Sequence, residues 1–325
     1  MKPKVSIIIP VKKINDYIYE SMEHILKLDW PEFEVLIFPD RPDEIHRWPK
    51  TKIIASGKIG PAEKRDLALK FARGKVLAFL DDDAYPRRDW LKKMIPNFRK
   101  SEVGAVGCPA VTPSSNGVLQ KVSGAIFESY LGGGFTRNRY LPIGNRRTCD
   151  DWPTVSLLIW RDVFKEVGGF DCQYWPGEDT KLCLDIVSAG YKIIYDPAGI
   201  VYHHRRANLL KHFKQIGNYA LHRGFFAKKY PQTSLKIGYF IPTLFVLYLI
   251  FLFSILFRIS NFEFRILFFL PLIAYGLGLL FDAVIISLRH KNPLIGILTI
   301  PMIFLTHIWY GIRFVQGLTV RKLER

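Results

Sequence analysis

Val76-Leu-Ala-Phe-Leu-Asp-Asp-Asp-Ala-Tyr-Pro86 is the stretch that decides how this chain is read. Five apolar residues run straight into three carboxylates, and Pro86 stops any regular continuation. An apolar run of this length, bounded by a breaker, predicts a strand buried on both faces. Its end carries up to three negative charges, which need a partner. A divalent cation with oxygen ligands is the natural partner, and such a cation usually holds phosphates. Read alone, the triplet also fits a solvated acidic turn. The flanking sequence weighs between the two.

Upstream, Val5-Ser-Ile-Ile-Ile9 predicts a buried strand ended by Pro10. Ile14, Ile18, Met22, Ile25 and Leu26 recur at helical spacing. Phe33-Glu-Val-Leu-Ile-Phe38 predicts a second strand running into Pro39-Asp40, and Lys52-Ile-Ile-Ala55 a short third. Pro61 suits the first position of a helix with Leu67, Ala68, Phe71 and Ala72 on its apolar face and Gly74 as its cap. Strands alternating with helices imply parallel pairing in an α/β layered domain. Ligands in such sheets bind beyond the carboxyl ends of the strands. Pro10, Asp40 and Asp81 to Asp83 all lie at such ends, so three strands deliver candidate ligand groups to one edge.

Downstream, Val103-Gly-Ala-Val-Gly107 and Val155 to Trp160 predict strands. Gly132 to Thr148, rich in Gly, Arg and Asn, predicts a long mobile loop of the kind that is usually functional or disordered. Arg161 to Val167 predicts a short helix stopped by Gly168-Gly169. Glu178 and Asp179 stand where another helix begins, a place where acidic residues also serve as caps. Short strands follow at Lys192 to Tyr195 and Gly199 to Tyr202, the second running into His203-His204.

Near Pro231 the composition changes. Residues 1–230 carry a net charge of +11 and the far more apolar residues 231–325 carry +6. The total of +17 raises a nucleic-acid partner, but no basic recognition motif accompanies it. Anionic lipid headgroups explain the charge better, because they attract Lys and Arg beside an apolar tail. Eight Lys or Arg fall between 205 and 236, interleaved with Leu209, Leu210, Phe213, Ile216, Tyr219, Phe225 and Phe226. That pattern predicts a basic amphipathic helix on a membrane surface. Ile237 to Phe257, Ile266 to Leu288 and Pro293 to Ile312 are each long enough to cross a bilayer. The third is followed closely by Arg313 and Arg321-Lys322, so it either spans or is re-entrant or interfacial. Asp282, inside the second, is either a functional group or a helix contact. Cys108, Cys149, Cys172 and Cys183 show no Cys-x-x-Cys spacing, which suggests reduced thiols and no zinc site. The N-terminus has no signal-peptide pattern, so the first domain is expected to stay on the cytoplasmic side.

These motifs resemble, in order, those of family 2 glycosyltransferases. The residues carrying the resemblance are Val5-Ser-Ile-Ile-Ile-Pro10, Asp40, Gly60-Pro-Ala-Glu-Lys-Arg65, Phe79-Leu-Asp-Asp-Asp83, Gly168-Gly-Phe-Asp171, Gly177-Glu-Asp179 and Tyr202-His203. The resemblance implies a GT-A (Rossmann-like) nucleotide-sugar-binding domain with a mostly parallel central sheet over residues 1–205. A basic amphipathic interfacial region at 206–235 and an α-helical membrane domain with two to three spans at 236–325 would follow. It places Pro10 and Val11 in the nucleotide pocket, Asp40 on the base, and Arg65 and Asp82 near the nucleotide. Asp66 stands where the family more usually has Asn. Asp81 and Asp83 would be the Asp-x-Asp pair, with Mn²⁺ or Mg²⁺ held by Asp83, by Asp81 if it is not on ribose, and by His203. His204 is the rival ligand, since neighbouring strand residues face opposite ways.

On this reading a divalent ion stabilises the leaving nucleoside diphosphate, and an acceptor attacks C1 from the opposite face. Asp179 would be the general base, and a single displacement implies inversion. Gln215-Ile-Gly-Asn-Tyr219 lies where processive synthases carry Gln-x-x-Arg-Trp, and its departure from that pattern weakens a processive reading. Gln215 and Tyr219 would line the acceptor end of the cleft, and the 132–148 loop would form a lid. The expected partners are a nucleotide-sugar donor, a lipid-linked or polysaccharide acceptor and membrane lipids, at a multi-pass cell-membrane location. The competing expectations are a processive polysaccharide synthase and a non-catalytic, membrane-tethered nucleotide-sugar-binding protein.

Overall fold

The computed structural model describes residues 4–43, 45–171, 173–174, 176–256 and 262–323. Cys172 and Phe257, named above, lie outside them. In chain order the first elements are β1 (Val5–Pro10), α1 (Asp16–Ile25), β2 (Phe33–Phe38), β3 (Thr51–Ile53), α2 (Pro61–Leu67), β4 (Val76–Phe79), β5 (Ala84–Pro86) and α3 (Trp90–Met94). Then come β6 (Val103–Gly107), β7 (Ala110–Val111), α4 (Val118–Glu128), α5 (Tyr130–Gly133), β8 (Arg147–Cys149), β9 (Leu157–Trp160), α6 (Arg161–Glu166) and α7 (Glu178–Ser188). The chain ends with β10 (Lys192–Tyr195), β11 (Val201–His203), α8 (Leu209–Lys229), α9 (Pro231–Ser234), α10 (Ile237–Leu256), α11 (Phe262–His290) and α12 (Pro293–Thr319).

The described residues divide into two units. One holds residues up to 114 together with 138–204; the other holds 115–137 together with 205–323. The second of these stretches begins at residue 205. The sequence reading, however, leaves 115–137 in the catalytic domain, whereas this segment groups with the C-terminal helices.

The first unit is built on an eight-stranded sheet of order β3-β2-β1-β4-β9-β6-β10-β8. Strands β1, β2, β3 and β4 are parallel, as the alternation of elements predicts. β9 is antiparallel to both β4 and β6, and β8 is antiparallel to β10, so the sheet is mostly parallel with two reversed strands. All of β1, β2, β4 and β6 is buried. Each fully buried Ile, Leu, Val or Phe there contributes about 1.5–3 kcal/mol of transfer free energy. α1 begins where the Asn15 side chain accepts from the Ile18 amide at 3.1 Å, and it buries Ile18, Met22 and Ile25.

Two local expectations change. Gly74 does not cap α2, which ends at Leu67 and passes into a 3₁₀ turn over Ala68–Lys70. Instead, a Cβ on Gly74 would lie 2.5 Å from the Ser6 amide, so the residue permits close approach of the chain to β1. The stretch between the acidic turn and Pro86 is not irregular either: it forms β5, which ends at Pro86, in a three-stranded sheet β5-β11-β7.

The second unit is arranged around α12. α11 is antiparallel to it, with Gly296 against the Ala283 carbonyl, and α10 meets it at Gly311, where an added Cβ would lie 2.5 Å from the Pro242 carbonyl oxygen. Small residues at such crossings let helix backbones approach closely. α8 runs alongside α12 in the same direction: Trp309 Nε1 donates to the Phe213 carbonyl at 2.9 Å, and Lys228 Nζ to that of Val320 at 2.7 Å. Ala220 and Ala227 of α8 share an apolar cluster with Phe314. Part of α8 is therefore covered by α12, while Leu210 and Tyr219 stay exposed. α10, α11 and α12 are each long and apolar enough to cross a membrane.

The 132–148 stretch is not a plain loop. Gly132 and Gly133 close α5, a 3₁₀ turn covers Gly134–Arg139, and Arg147–Cys149 forms β8. A Cβ on Gly132 would meet the Ile126 carbonyl oxygen at 2.5 Å, so this glycine serves packing and not mobility. Asp282 takes the helix-contact role. Its two carboxylate oxygens accept from the Tyr130 and Leu131 amides at 2.8 Å each, satisfying free donors at the start of α5.

Candidate metal and donor site

The site starts from strand register. β1 and β2 pair so that Pro10 lies beside Phe38, and Ile8 of β1 lies beside Phe79 of β4. The three strands therefore end together, and the residues just beyond them, Val11, Asp40 and Asp81, emerge at one edge of the sheet. From Asp81 the chain turns and returns as β5, which pairs antiparallel with β11 so that His203 faces Ala84.

That pairing answers which histidine turns inward. Successive strand residues face opposite ways. His203 Nε2 lies 3.0 Å from Asp83 Oδ1. His204 points the other way, 2.6 Å from Glu20 Oε2, with its ring near those of Tyr17 and Tyr85. Asp81, Asp83 and His203 each offer a ligand atom, and these atoms all lie within 4.8 Å of one another. Ligands held about 2.0–2.2 Å from one ion at roughly right angles sit about 3 Å apart, so two carboxylates and an imidazole at this spacing fit a small divalent cation. Asp82 turns toward Asn15, whose Nδ2 is 3.4 Å away. Burial, then the charges of Asp83 and Asp81, push its carboxyl up to about 6.

Arg65 is buried, and its guanidinium reaches two carboxylates. Nη2 donates to Asp81 at 2.6 Å, and Nη1 lies 3.7 Å from Glu178 Oε1. α2 is held in place by Asp66, which accepts from the Phe170 amide at 2.9 Å, joining the Gly-Pro-Ala-Glu-Lys-Arg and Gly-Gly-Phe-Asp motifs. α7 begins at Gly177, whose φ of 127° excludes most side chains. Glu178 is buried beside it. Desolvation pushes its carboxyl upward, Asp179 adds to that, and Arg65 opposes it. Asp179 is half-buried and accepts from the Thr180 amide at 2.8 Å.

Asp40 is paired with Lys64, a residue the sequence reading passes over although it lies inside the quoted hexapeptide. Lys64 is buried and also donates to the Val11 and Phe38 carbonyls at 2.6 and 3.1 Å. It knits the ends of β1 and β2 together and neutralises Asp40. Asn15 is likewise passed over by the sequence reading, which takes Glu178 as half of an acidic pair at a helix start without linking it to Arg65. Gln215 and Tyr219 hydrogen-bond each other at 2.8 Å on α8, in the second unit. Cys108, Cys149 and Cys183 are free, and burial pushes the Cys108 and Cys149 thiols up to about 12, which leaves neither as a nucleophile.

Residues 6–164 match the sequence model of Glycosyl transferase family 2. This chain carries a family 2 glycosyltransferase domain. It is 27% identical over 251 residues to the O-antigen biosynthesis protein RfbC of Myxococcus xanthus, covering 70% of this chain and 20% of that protein. It is 30% identical over 150 residues to the pre-mycofactocin glycosyltransferase of Mycobacterium tuberculosis, covering 46% of this chain and 31% of the relative. The chain thus spans a fifth to a third of the length of these relatives. It is 25% identical to a dolichyl N-acetyl-alpha-D-glucosaminyl phosphate 3-beta-D-2,3-diacetamido-2,3-dideoxy-beta-D-glucuronosyltransferase of Methanococcus voltae, with 97% of both chains covered. A mannosyltransferase from Pyrobaculum calidifontis, solved in complex with GDP-Man and Mn²⁺, shares the fold with a TM-score of 0.66 at 18% identity, over 99% of this chain and 89% of that one. The family 2 domain thus lies on a GT-A fold.

Proposed function

We propose that the chain is an inverting, metal-dependent glycosyltransferase. It moves a sugar from a nucleotide-sugar donor to a membrane-associated acceptor, a lipid-linked glycan or polyprenyl phosphate, in cell-surface polysaccharide or glycoconjugate synthesis. The observation that carries this reading is the meeting of Asp81, Asp83 and His203 at the sheet edge where β1, β2 and β4 end. Membrane association follows from three helices of spanning length. A lipid-borne acceptor is supported by the Methanococcus relative, whose name specifies a dolichyl phosphate-linked sugar and which matches over nearly its full length.

Asp81, Asp83 and His203 would hold Mn²⁺ or Mg²⁺, which supplies charge stabilisation for the diphosphate as the glycosidic bond breaks. Pro10 and Val11 line the nucleotide pocket, and Asp40 orients the base, its carboxylate set by Lys64. Arg65 holds Asp81 in place and, through Glu178, the start of α7. Asp179 accepts the proton of the attacking hydroxyl, and its half-buried position leaves it open to an acceptor. The catalytic domain faces the cytoplasm, where nucleotide sugars are made.

The test is thermal-shift screening of the purified protein against nucleotide sugars with and without Mn²⁺. Stabilisation by a nucleoside diphosphate sugar that needs the metal supports the proposal. Metal-saturated protein that responds to no nucleoside diphosphate would overturn it.

A further inference from the structure

Between α8 and α12, a cavity of about 430 Å³ is lined by Leu210, Phe213, Lys214, Gly217, Trp309 and Arg313, with Asn218 at its side. Its lining has two chemistries. Leu210 and Trp309 are exposed apolar groups, 78% and 39% accessible. Lys214 and Arg313 are cations. Arg313 Nε donates to the Gly217 carbonyl at 3.4 Å and Nη1 to Gln316 Oε1 at 2.5 Å, which leaves Nη2 for another acceptor.

Carboxylates are scarce in this unit. Its described carboxylate side chains are Glu128 and Asp282, and both are already engaged. Glu128 pairs with His290 at 3.0 Å and lies 3.7 Å from Arg289. Asp282 accepts the two α5 amides. Among the described residues, then, no carboxylate partners Lys214 or Arg313. An anion that binds this pair comes from outside the unit's own carboxylates, and it meets the apolar groups of Leu210, Phe213 and Trp309 beside it. Indole rings and basic side chains together favour the boundary between headgroups and hydrocarbon.

We propose that this cavity is a headgroup site for an anionic membrane phospholipid. The phosphodiester sits against Lys214 Nζ and Arg313 Nη2, and an acyl chain lies along Trp309 and Leu210. The site is defined within the helical unit and does not depend on the transferase reading.

The test uses the full-length protein in detergent micelles, with retention of phosphatidylglycerol and phosphatidylcholine read by native mass spectrometry. Each cation near a membrane surface is worth about 1 kcal/mol, about fivefold in affinity. Preferential phosphatidylglycerol binding should therefore weaken about fivefold in Lys214→Gln and about thirtyfold in Lys214→Gln/Arg313→Gln. Lys211→Gln, an exposed cation on the same helix outside the cavity, should leave it unchanged. The single Lys214 variant, at an exposed position, keeps the test valid if the double variant misfolds. Four results would overturn the proposal. Equal retention of phosphatidylcholine would remove headgroup recognition. Displacement by inorganic phosphate would mean a free-anion site. An equal loss in Lys211→Gln would mean diffuse attraction. Displacement by an equimolar polyprenyl phosphate would mean an acceptor subsite.

Discussion

Arg65 connects the acidic triplet to the Gly-Glu-Asp pair, since one guanidinium reaches both Asp81 and Glu178. Lysine has one charged centre and cannot hold two carboxylates in a fixed fork. Arg65→Lys should therefore weaken Mn²⁺ affinity about 10–100-fold, the usual cost of losing an outer partner of a metal ligand. Isothermal titration with Mn²⁺ checks this, and unchanged affinity would remove Arg65 from the ligand network. Asp179→Asn separates binding from chemistry. It should keep donor affinity within about twofold and lower kcat by about 10²–10⁴, the range for a general base. Equal loss of donor binding would assign Asp179 to the donor pocket. At this scale the acidic triplet and the Gly-Glu-Asp pair are legible because charge at the end of an apolar run stands out. Lys64 is not, because a lysine in a helix reads as solvated until the fold places it under Asp40. His203 and His204 are distinguishable only through strand register, which puts Asp83 beside the first and Glu20 beside the second.

Among the elements, α8 shows how a helix pattern can be legible while its packing partner is not. Its basic and apolar interleaving is plain in the sequence, but the covering α12 lies about eighty residues further on. His212 on α8 is fully buried, with Nδ1 2.8 Å from Ser123 Oγ, and burial alone pushes its imidazole down to about 4. The folded state thus holds it neutral, while the unfolded chain takes up a proton below about pH 6.5. Stability should be insensitive to this group above pH 6.5 and fall, by at most about 1.4 kcal/mol per pH unit, as pH drops from 6.5 toward 4. Thermal melts across that window should show a shallower fall in His212→Gln than in the parent; identical slopes would refute it. Asp282→Ala should cost about 2–4 kcal/mol, because two α5 amides lose a charged acceptor in a buried place. Chemical denaturation in detergent measures this, and a change under 0.5 kcal/mol would contradict the capping role. Strand positions were largely readable from apolar runs. The reversal of β9 was not, because a run buried on both faces carries no mark of direction.

For the whole molecule, the mostly parallel sheet and the three apolar helices follow from patterns that need no knowledge of neighbours: alternation of strand and helix, and length without charge. The division into units does not, because residues 115–137 join the C-terminal helices through Val122, Ala125 and Ile126 packing against Leu279, Ile286 and Ile303, contacts remote in sequence. The donor and acceptor are equally hidden, since pocket contacts to a sugar depend on loop side chains without a pattern of their own. What can be tested for the molecule as a whole is the dependence of donor binding on the Asp81, Asp83 and His203 group. The most direct measurement is nucleotide-sugar binding by the full-length protein, with Mn²⁺ and with EDTA, in the parent and in Asp81→Asn/Asp83→Asn. The account predicts binding in the parent with Mn²⁺, lost on chelation and absent from the double variant. Donor binding that is unchanged by both EDTA and the double substitution would contradict it.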